Sequence, residues 1–434
     1  MPHFLPLLTF FLLSQAGHAE SVSLQGLLRE TLTESPQIRR SEAGLDEANW
    51  KSAESLQGFL PSLTGSLNYL TNKKYMLVDI NLGGNPASIA QVIPTTLYTL
   101  TASIPLFDGL ASTNRYWAGE NLKKSARHDL EWARFSVKQQ LTLQFYKALA
   151  AKALMDVAEQ NLKTLTDHLK DAQALKKAGI ATSYDVLRVD VQVSEAKSEV
   201  LNTRDAYDLA KFKLGEFLGK ENEARELVGK LPVLPSQVIE QAKSLRIEKR
   251  ADLLSLKEKV DSLYDLDAAN SRYWSPKISA YGQYQYYNNI NDQFSDSERF
   301  REAYQIGLNL TWNFFDGLSS IAKSHQSSAQ AQQMDTTLTM ARLKAKQDFE
   351  FWKRKLTYFK TVYESKVVDV EKSAEAIRLA KEGRRAGTRT STELLDAELD
   401  LFRSRAGQVN SQIGVIESLI NLELTTGQPL YEFN

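Results

Sequence analysis

A chain of 434 residues can bury a large core, and length alone suggests two or three domains. Its 53 Lys and Arg balance 53 Asp and Glu, so no global field points to nucleic acid or to a cationic ligand. Cysteine is absent, which excludes disulfides, thiolate metal sites, a cysteine nucleophile and a lipid-bearing cysteine after a leader.

Residues 1–19 read as a secretory signal peptide, with a mostly apolar run over 4–13 and small residues Gly17 and Ala19 near the cut. No other apolar run approaches the ~18 residues of a membrane helix. The mature chain is therefore expected as a periplasmic, secreted or outer-membrane protein. Leu24, Leu27, Leu28 and Leu32, then Ala43, Ala48 and Ala53, recur at helical intervals, with a fresh start at Ser35-Pro36.

After Pro61 the period falls to two. Leu63, Gly65, Leu67 and Tyr69 alternate with Ser, Thr and Asn, and Tyr98, Leu100, Ala102, Ile104 and Leu106 continue the pattern. Residues 71–94 between these runs are expected as a polar loop. Gly109 to Gly179 spans 70 residues rich in Ala, Lys, Gln and Leu, which would extend ~100 Å as one helix. The chain turns at Ala178-Gly179-Ile180-Ala181-Thr182 and runs back to Leu218. The apolar stripe of these helices, through Leu141, Phe145 and Leu149, is narrow and of coiled-coil type. Gly219 and the prolines that follow it mark a linker.

The order then recurs. Gly109, Gly179 and Gly219 pair with Gly317, Gly387 and Gly427, each pair 208 positions apart. Pro36 and Pro61 align with Ala251 and Pro276 at an offset of 215. An internal duplication of a large half-molecule is expected. The first repeat covers 20–218, with a β-hairpin at about 60–107 and a helical hairpin at 109–218. The linker takes 219–236. The second repeat covers 237–427, with a β-hairpin at about 276–315 and a helical hairpin at 317–426, and 428–434 form a tail. In the second copy Ile278, Ala280, Gly282, Tyr284 and Tyr286 form one face of a strand. Tyr304, Ile306, Leu308, Leu310, Trp312 and Phe314 form the clearest alternating run in the chain.

Four strands of about ten residues, apolar on one face and Ser, Thr, Asn or Gln on the other, match a transmembrane β-barrel wall. A soluble sandwich is the ordinary alternative, but the polar faces carry few charges and aromatics gather near strand ends. The lipid-facing residues are then Leu67, Tyr69, Tyr98, Leu100, Ile104, Tyr284, Ile306, Leu308, Leu310 and Trp312. Four strands cannot close a barrel, and an open edge in lipid is costly, so the chain is expected to oligomerise. Three copies give twelve strands.

No catalytic constellation is present. His128, His168 and His325 stand singly on helical stretches, and neither His-Glu-x-x-His nor Gly-x-Ser-x-Gly occurs. The loop 288–301 holds carboxylates and amides without calcium-loop spacing. No cofactor and no metal is expected.

The repeated unit, the Leu-Phe-Asp-Gly and Phe-Phe-Asp-Gly corners, Pro61 and Pro276, and the turns Ala-Gly-Ile-Ala-Thr-Ser-Tyr-Asp-Val-Leu and Ala-Gly-Thr-Arg-Thr-Ser-Thr-Glu-Leu-Leu together resemble the TolC-like outer-membrane efflux proteins. The resemblance covers essentially the whole mature chain. It implies a mixed α and β fold: a trimeric twelve-stranded outer-membrane β-barrel, four strands per chain, continued by a long periplasmic α-helical barrel. It also implies a passive exit duct for a tripartite efflux pump or type I secretion system. The partners would be a homotrimer mate, a periplasmic adaptor (membrane-fusion) protein, an inner-membrane transporter of RND or ABC type, and outer-membrane lipid, with no nucleic acid. The turns would be periplasmic tips, with Gly179, Ile180, Ala181, Thr182, Gly387, Thr388 and Thr390 contacting the adaptor.

In the family, hydrogen bonds and ion pairs between neighbouring hairpins close the pore. Asp185 and Arg389 occupy matching positions, with Glu393 and Arg384 beside them. The chain departs from the family pattern at Arg384, where a tyrosine of the closing network is found, so the resemblance does not carry over that latch and leaves a carboxylate–arginine variant as the alternative. Each tip residue also has a local explanation, since Thr182 and Thr390 suit N-caps and Asp185 and Glu393 suit first turns. Two other classes compete: a secreted periplasmic coiled-coil scaffold or adaptor, opposed by the lipid-type alternation, and a barrel-borne enzyme, opposed by the missing catalytic residues.

Overall fold

The computed structural model describes residues 21–71, 77–90, 94–221, 223–242, 247, 250–288 and 300–433. The expected leader, most of the loop 288–301 and part of the linker lie outside these residues. The chain is mostly helical and divides into two units, each described separately below.

The first unit holds residues 1–41, 131–250 and 343–434. A two-residue strand β1 (Ser21–Val22) precedes α1 (Leu24–Glu34), and Ser23 caps that helix by accepting from the Gly26 N–H. Pro36 opens α2 (Pro36–Glu54), where its missing N–H costs nothing. A short 3-10 turn, Ser55–Gly58, ends that run before the second unit's strands.

The second unit holds residues 42–130 and 251–342. Its strands are β2 (Ser62–Tyr69), the pair β3 (Leu77–Leu82) and β4 (Asn85–Ala90), and β5 (Thr96–Phe107). After β5, Asp108, Gly109 and Leu110 form a sharp corner. Gly109 and Leu110 have φ of +72° and +67°. A Cβ on Gly109 would lie 2.5 Å from Ser275 Cβ, so only glycine fits there. Asp108 Oδ2 accepts from the Ser112 N–H at 2.8 Å, and α3 (Ala111–Lys177) follows. The reverse helix is α4 (Ser183–Leu218).

β6 (Glu226–Leu227) pairs in parallel with β1, and α5 (Ser236–Ala242) and α6 (Ala251–Asn270) come next. β7 (Lys277–Asn288) and β8 (Phe300–Thr311) then lead through a second Asp-Gly-Leu corner, with Leu318 at φ +69°, into α7 (Ser319–Arg385). The chain closes with α8 (Ser391–Thr426) and a tail. The corresponding helices have equal lengths, 67 residues for α3 and α7 and 36 for α4 and α8.

One antiparallel sheet, in the order β2-β5-β7-β8, dominates the second unit. The pair β3–β4 forms a separate sheet inside the stretch expected as loop. Its turn is Gly83-Gly84, with φ of +61° and +92°, the backbone that a tight two-residue hairpin demands.

The first unit's core is a long seam between helices. Leu141, Phe145, Tyr146 and Leu149 of α3 pack with Leu214 of α4 and Ile416 and Ile420 of α8. A second cluster joins Phe349 and Leu356 of α7, Leu419 and Leu422 of α8, and Ile239 of α5. An ion network ties the linker to α1. Arg225 donates to Glu30 at 2.7 Å and to Glu223 at 2.6 Å, and Lys220 also meets Glu30.

The tail folds back onto α8. Glu423 is fully buried, and its Oε1 accepts from the N–H groups of Leu430 at 2.7 Å and Tyr431 at 2.9 Å. Its Oε2 is buried without a hydrogen bond. Burial outweighs those two donors and nearby Lys138, and raises the carboxyl from 4.5 to about 7.

Candidate functional site

Two regions carry the expected functional residues: the sheet of the second unit and the hairpin turns of the first.

In the sheet, lateral pairing gathers the apolar residues onto one face. Leu67 pairs with Tyr98 and Tyr98 with Tyr286; Leu100 pairs with Tyr284 and Tyr284 with Tyr304. Ile104, Ala280 and Leu308 align, as do Ile278 and Leu310. The other face carries Thr64, Thr101, Gln283 and Gln305 in one row, with the Gln283 amide donating to Thr101 at 3.4 Å and the Gln305 amide to Gln283. The apolar face is bare: Ile306 is 85% exposed, Tyr304 82% and Leu308 71%. Soluble proteins rarely leave so continuous an apolar row uncovered. Aromatics mark both ends. Tyr286 stacks on Phe300 at 4.9 Å, and at the opposite end Trp312 lies 4.9 Å from Phe314 and donates its indole N–H to the Trp274 carbonyl at 3.0 Å. Among the described residues no helix is long and apolar enough to cross a membrane.

The first turn is built by glycine and capping. Gly179 has φ +77°, and the N–H of Ile180 returns to the Leu175 carbonyl at 2.9 Å, closing the C-terminus of α3. Ala181 makes a longer bond to the same carbonyl. Thr182 Oγ1 accepts from the Asp185 N–H at 3.2 Å, and Asp185 Oδ2 accepts from the Thr182 N–H at 2.9 Å, a complete capping box. The Thr182 hydroxyl also donates to Asp185 Oδ2 at 2.7 Å, and this bond, followed by that from the Thr182 N–H, holds the Asp185 carboxyl below its usual range.

The second turn repeats this. Gly387 has φ +76°, its N–H donates to the Arg384 carbonyl, and Thr388 and Arg389 both donate to the Gly383 carbonyl. Thr390 Oγ1 accepts from the Glu393 N–H at 3.2 Å, and Glu393 Oε2 accepts from the Thr390 N–H at 2.8 Å. Glu393 Oε1 takes Arg389 Nη1 at 3.1 Å. The Thr390 N–H and this network depress the Glu393 carboxyl.

Within the chain, then, Arg389 pairs with Glu393 of its own turn and not with Asp185. Arg384 closes α7, where a cation favours the helix C-terminus, and among the described residues it has no ion pair. Three contacts across helices lay beyond the sequence reading. Arg188 Nη1 donates to Thr392 Oγ1 at 2.9 Å, joining α4 to α8. His168, expected to be solvated or packed singly, meets the buried Glu398 at 2.6 Å, with Lys381 3.9 Å from the same oxygen. The residues of that pair are 230 positions apart, so no local pattern signals it. A signal was present for a separate feature, an exposed apolar row. Ile180, Tyr184, Leu187 and Val191 are exposed and recur at coiled-coil spacing.

Among the described residues, no three His, Asp or Glu side chains are placed to hold a metal. A sheet with a bare lipid-type face and paired long helices that end in capped turns has the architecture of an outer-membrane channel. The comparisons agree. The sequence profile of the outer membrane efflux protein family matches residues 27–220 and 244–428, and the chain belongs to that family. The proteases secretion protein PrtF of Dickeya chrysanthemi is 22% identical over 433 residues, covering 97% of this chain and 91% of PrtF. The outer membrane protein VceC of Vibrio cholerae shares the fold with a TM-score of 0.77 at 14% identity, over 94% of this chain and 97% of VceC. The open state of the Neisseria gonorrhoeae MtrE outer membrane channel matches with a TM-score of 0.72 at 17% identity, over 94% of this chain and 89% of MtrE.

Proposed function

We propose that the chain forms a homotrimer in the outer membrane and serves as the passive exit duct of an export machine. Three copies of the four-stranded sheet close a twelve-stranded barrel, and the duplicated helical hairpins line the periplasmic part of the conduit. The observation that carries this reading is the sheet itself. Its apolar face is bare, and strands of up to 12 residues suit a tilted membrane wall. Among the described residues, its outer strands β2 and β8 each have one edge without a partner strand in the sheet. Lipid and neighbouring copies supply what is missing. The likeness over nearly the whole chain to PrtF, a proteases secretion protein, favours protein secretion over small-molecule efflux.

The hairpin turns are the duct's adaptor contacts and gate. The exposed row from Ile180 to Val191 supports docking of a helical partner such as a periplasmic adaptor, which links the duct to an inner-membrane transporter. Asp185 and Arg389 meet between neighbouring copies, with Arg384 and Glu393 beside them. Arg389 exchanges its own-turn Glu393 for that contact when the tip closes.

The test is single-channel conductance of purified protein in a planar bilayer, with its detergent-solubilised mass recorded. A trimer with small, stable conductance that rises in Arg389→Ala and Asp185→Ala is expected. A monomer without conductance would remove the duct. Unchanged conductance in both variants would leave those residues only their capping role.

A further inference from the structure

At the end of the sheet where β7 and β8 meet α3, α6 and α7, the second unit has a cleft of about 450 Å³. Four cations line it: Arg115, Arg272, Lys277 and Lys323. One carboxylate, Asp108, faces them, and it is already committed to the start of α3 through the Ser112 N–H and hydroxyl. Asp316, near Lys323, is committed in the same way to Ser320 of α7. Among the described residues none of the four cations forms an ion pair. Four cations against the carboxylates of Asp108 and, in the adjoining cleft, Asp316 leave a net charge of +2 (4 − 2), which an anion bound there would offset.

The cleft continues into an apolar one. Tyr273, Trp312, Asn313 and Ser320 line both, and the second adds Trp274, Phe314 and Phe315. Phe314 and Phe315 are 83% and 77% exposed. A small free anion would neutralise the cations and leave those rings in water. A molecule with an anionic head and an apolar body satisfies both parts at once.

We propose that this composite cleft binds an anionic glycerophospholipid, with the phosphate among Arg115, Arg272, Lys277 and Lys323 and the glycerol–acyl region on Trp274, Phe314 and Phe315. Basic clefts beside membrane-embedded elements hold anionic headgroups, and aromatic rings settle at the headgroup level. The N-termini of α3 and α7, at Ala111 and Ser319, add partial positive charge on the same side. This inference rests on the proposed membrane position of the sheet.

The experiment titrates delipidated protein in neutral detergent with phosphatidylglycerol or phosphatidylcholine of matched acyl chains and counts bound lipid by native mass spectrometry. Conductance in pure phosphatidylcholine bilayers is recorded alongside. Wild type is expected to prefer phosphatidylglycerol by about thirty-fold or more. The double variant R272Q/K323Q should lose about thirty-fold of that preference, at about one kilocalorie per cation near an anionic headgroup, while still conducting. Equal retention of the two lipids, or a preference unchanged in the double variant, overturns the lipid site and leaves the duct standing. Displacement of the lipid by excess inorganic phosphate alone reassigns the cleft to a free anion. A wild type that neither inserts nor conducts removes the membrane reading, and this site with it.

Discussion

Glu423 makes the docking of the tail dependent on pH. When the tail detaches, the carboxyl returns to water and ionises near 4.5; with the tail docked it holds its proton to about 7. A group whose pKa is raised by folding binds more protons in the folded state between those values. Docking is therefore strongest below about pH 4.5, weakens as pH climbs through the window, and is constant above pH 7. A shift of this size corresponds to about 3 kcal/mol, roughly two orders of magnitude in the docking equilibrium. The assay is hydrogen exchange of the Leu430 and Tyr431 amides, corrected for the intrinsic pH dependence of exchange. Wild type should lose protection between about pH 4.5 and 7, while Glu423→Gln, which keeps a carbonyl acceptor for both amides, should show a flat profile. Equal slopes in the two proteins would refute the reasoning, because burial of the carboxylate would then not be the cause.

Ile306→Arg on the bare face should block stable membrane insertion, at about 2–4 kcal/mol near a bilayer midplane, whereas Asn309→Arg on the polar face should insert normally; flotation with vesicles separates the two. Thr182→Ala and Thr390→Ala should each cost about 0.5–2 kcal/mol of helix-start stability, read as faster amide exchange in the first turns of α4 and α8. Gly414→Ala should destabilise the first unit by about 1–3 kcal/mol despite alanine's better helix propensity. The new Cβ would lie 2.4 Å from Phe359 Cδ1, and a lowered thermal midpoint is the check.

Local chemistry made much of this architecture legible. Strict alternation from Tyr304 to Leu310 can only be a two-sided strand, and glycine followed by Thr-x-x-Asp or Thr-x-x-Glu sets a helix end and a capped restart. The hairpin at Gly83-Gly84 was legible too, but polar residues around it read as loop while the paired glycines were the stronger signal. The cross-helix contacts were not. His168 with Glu398 and Arg188 with Thr392 join residues more than two hundred positions apart, and a helix pattern indicates which side is apolar but not which polar group lies opposite. Arg389 shows the limit within a single turn. Its cation lies one helical turn from Glu393 and also has the reach to leave it, and sequence does not rank the two partners.

The open edges of β2 and β8 have a genetic consequence. In the proposed trimer each copy lends one edge to each neighbour, so a single copy with a blocked edge breaks the wall of the whole assembly. A cell making intact and edge-blocked chains in equal amounts would assemble about one wholly intact trimer in eight, if the subunits mix at random. A proline set into the middle of β8 would then act as a dominant allele, silencing most of the wild-type protein made beside it.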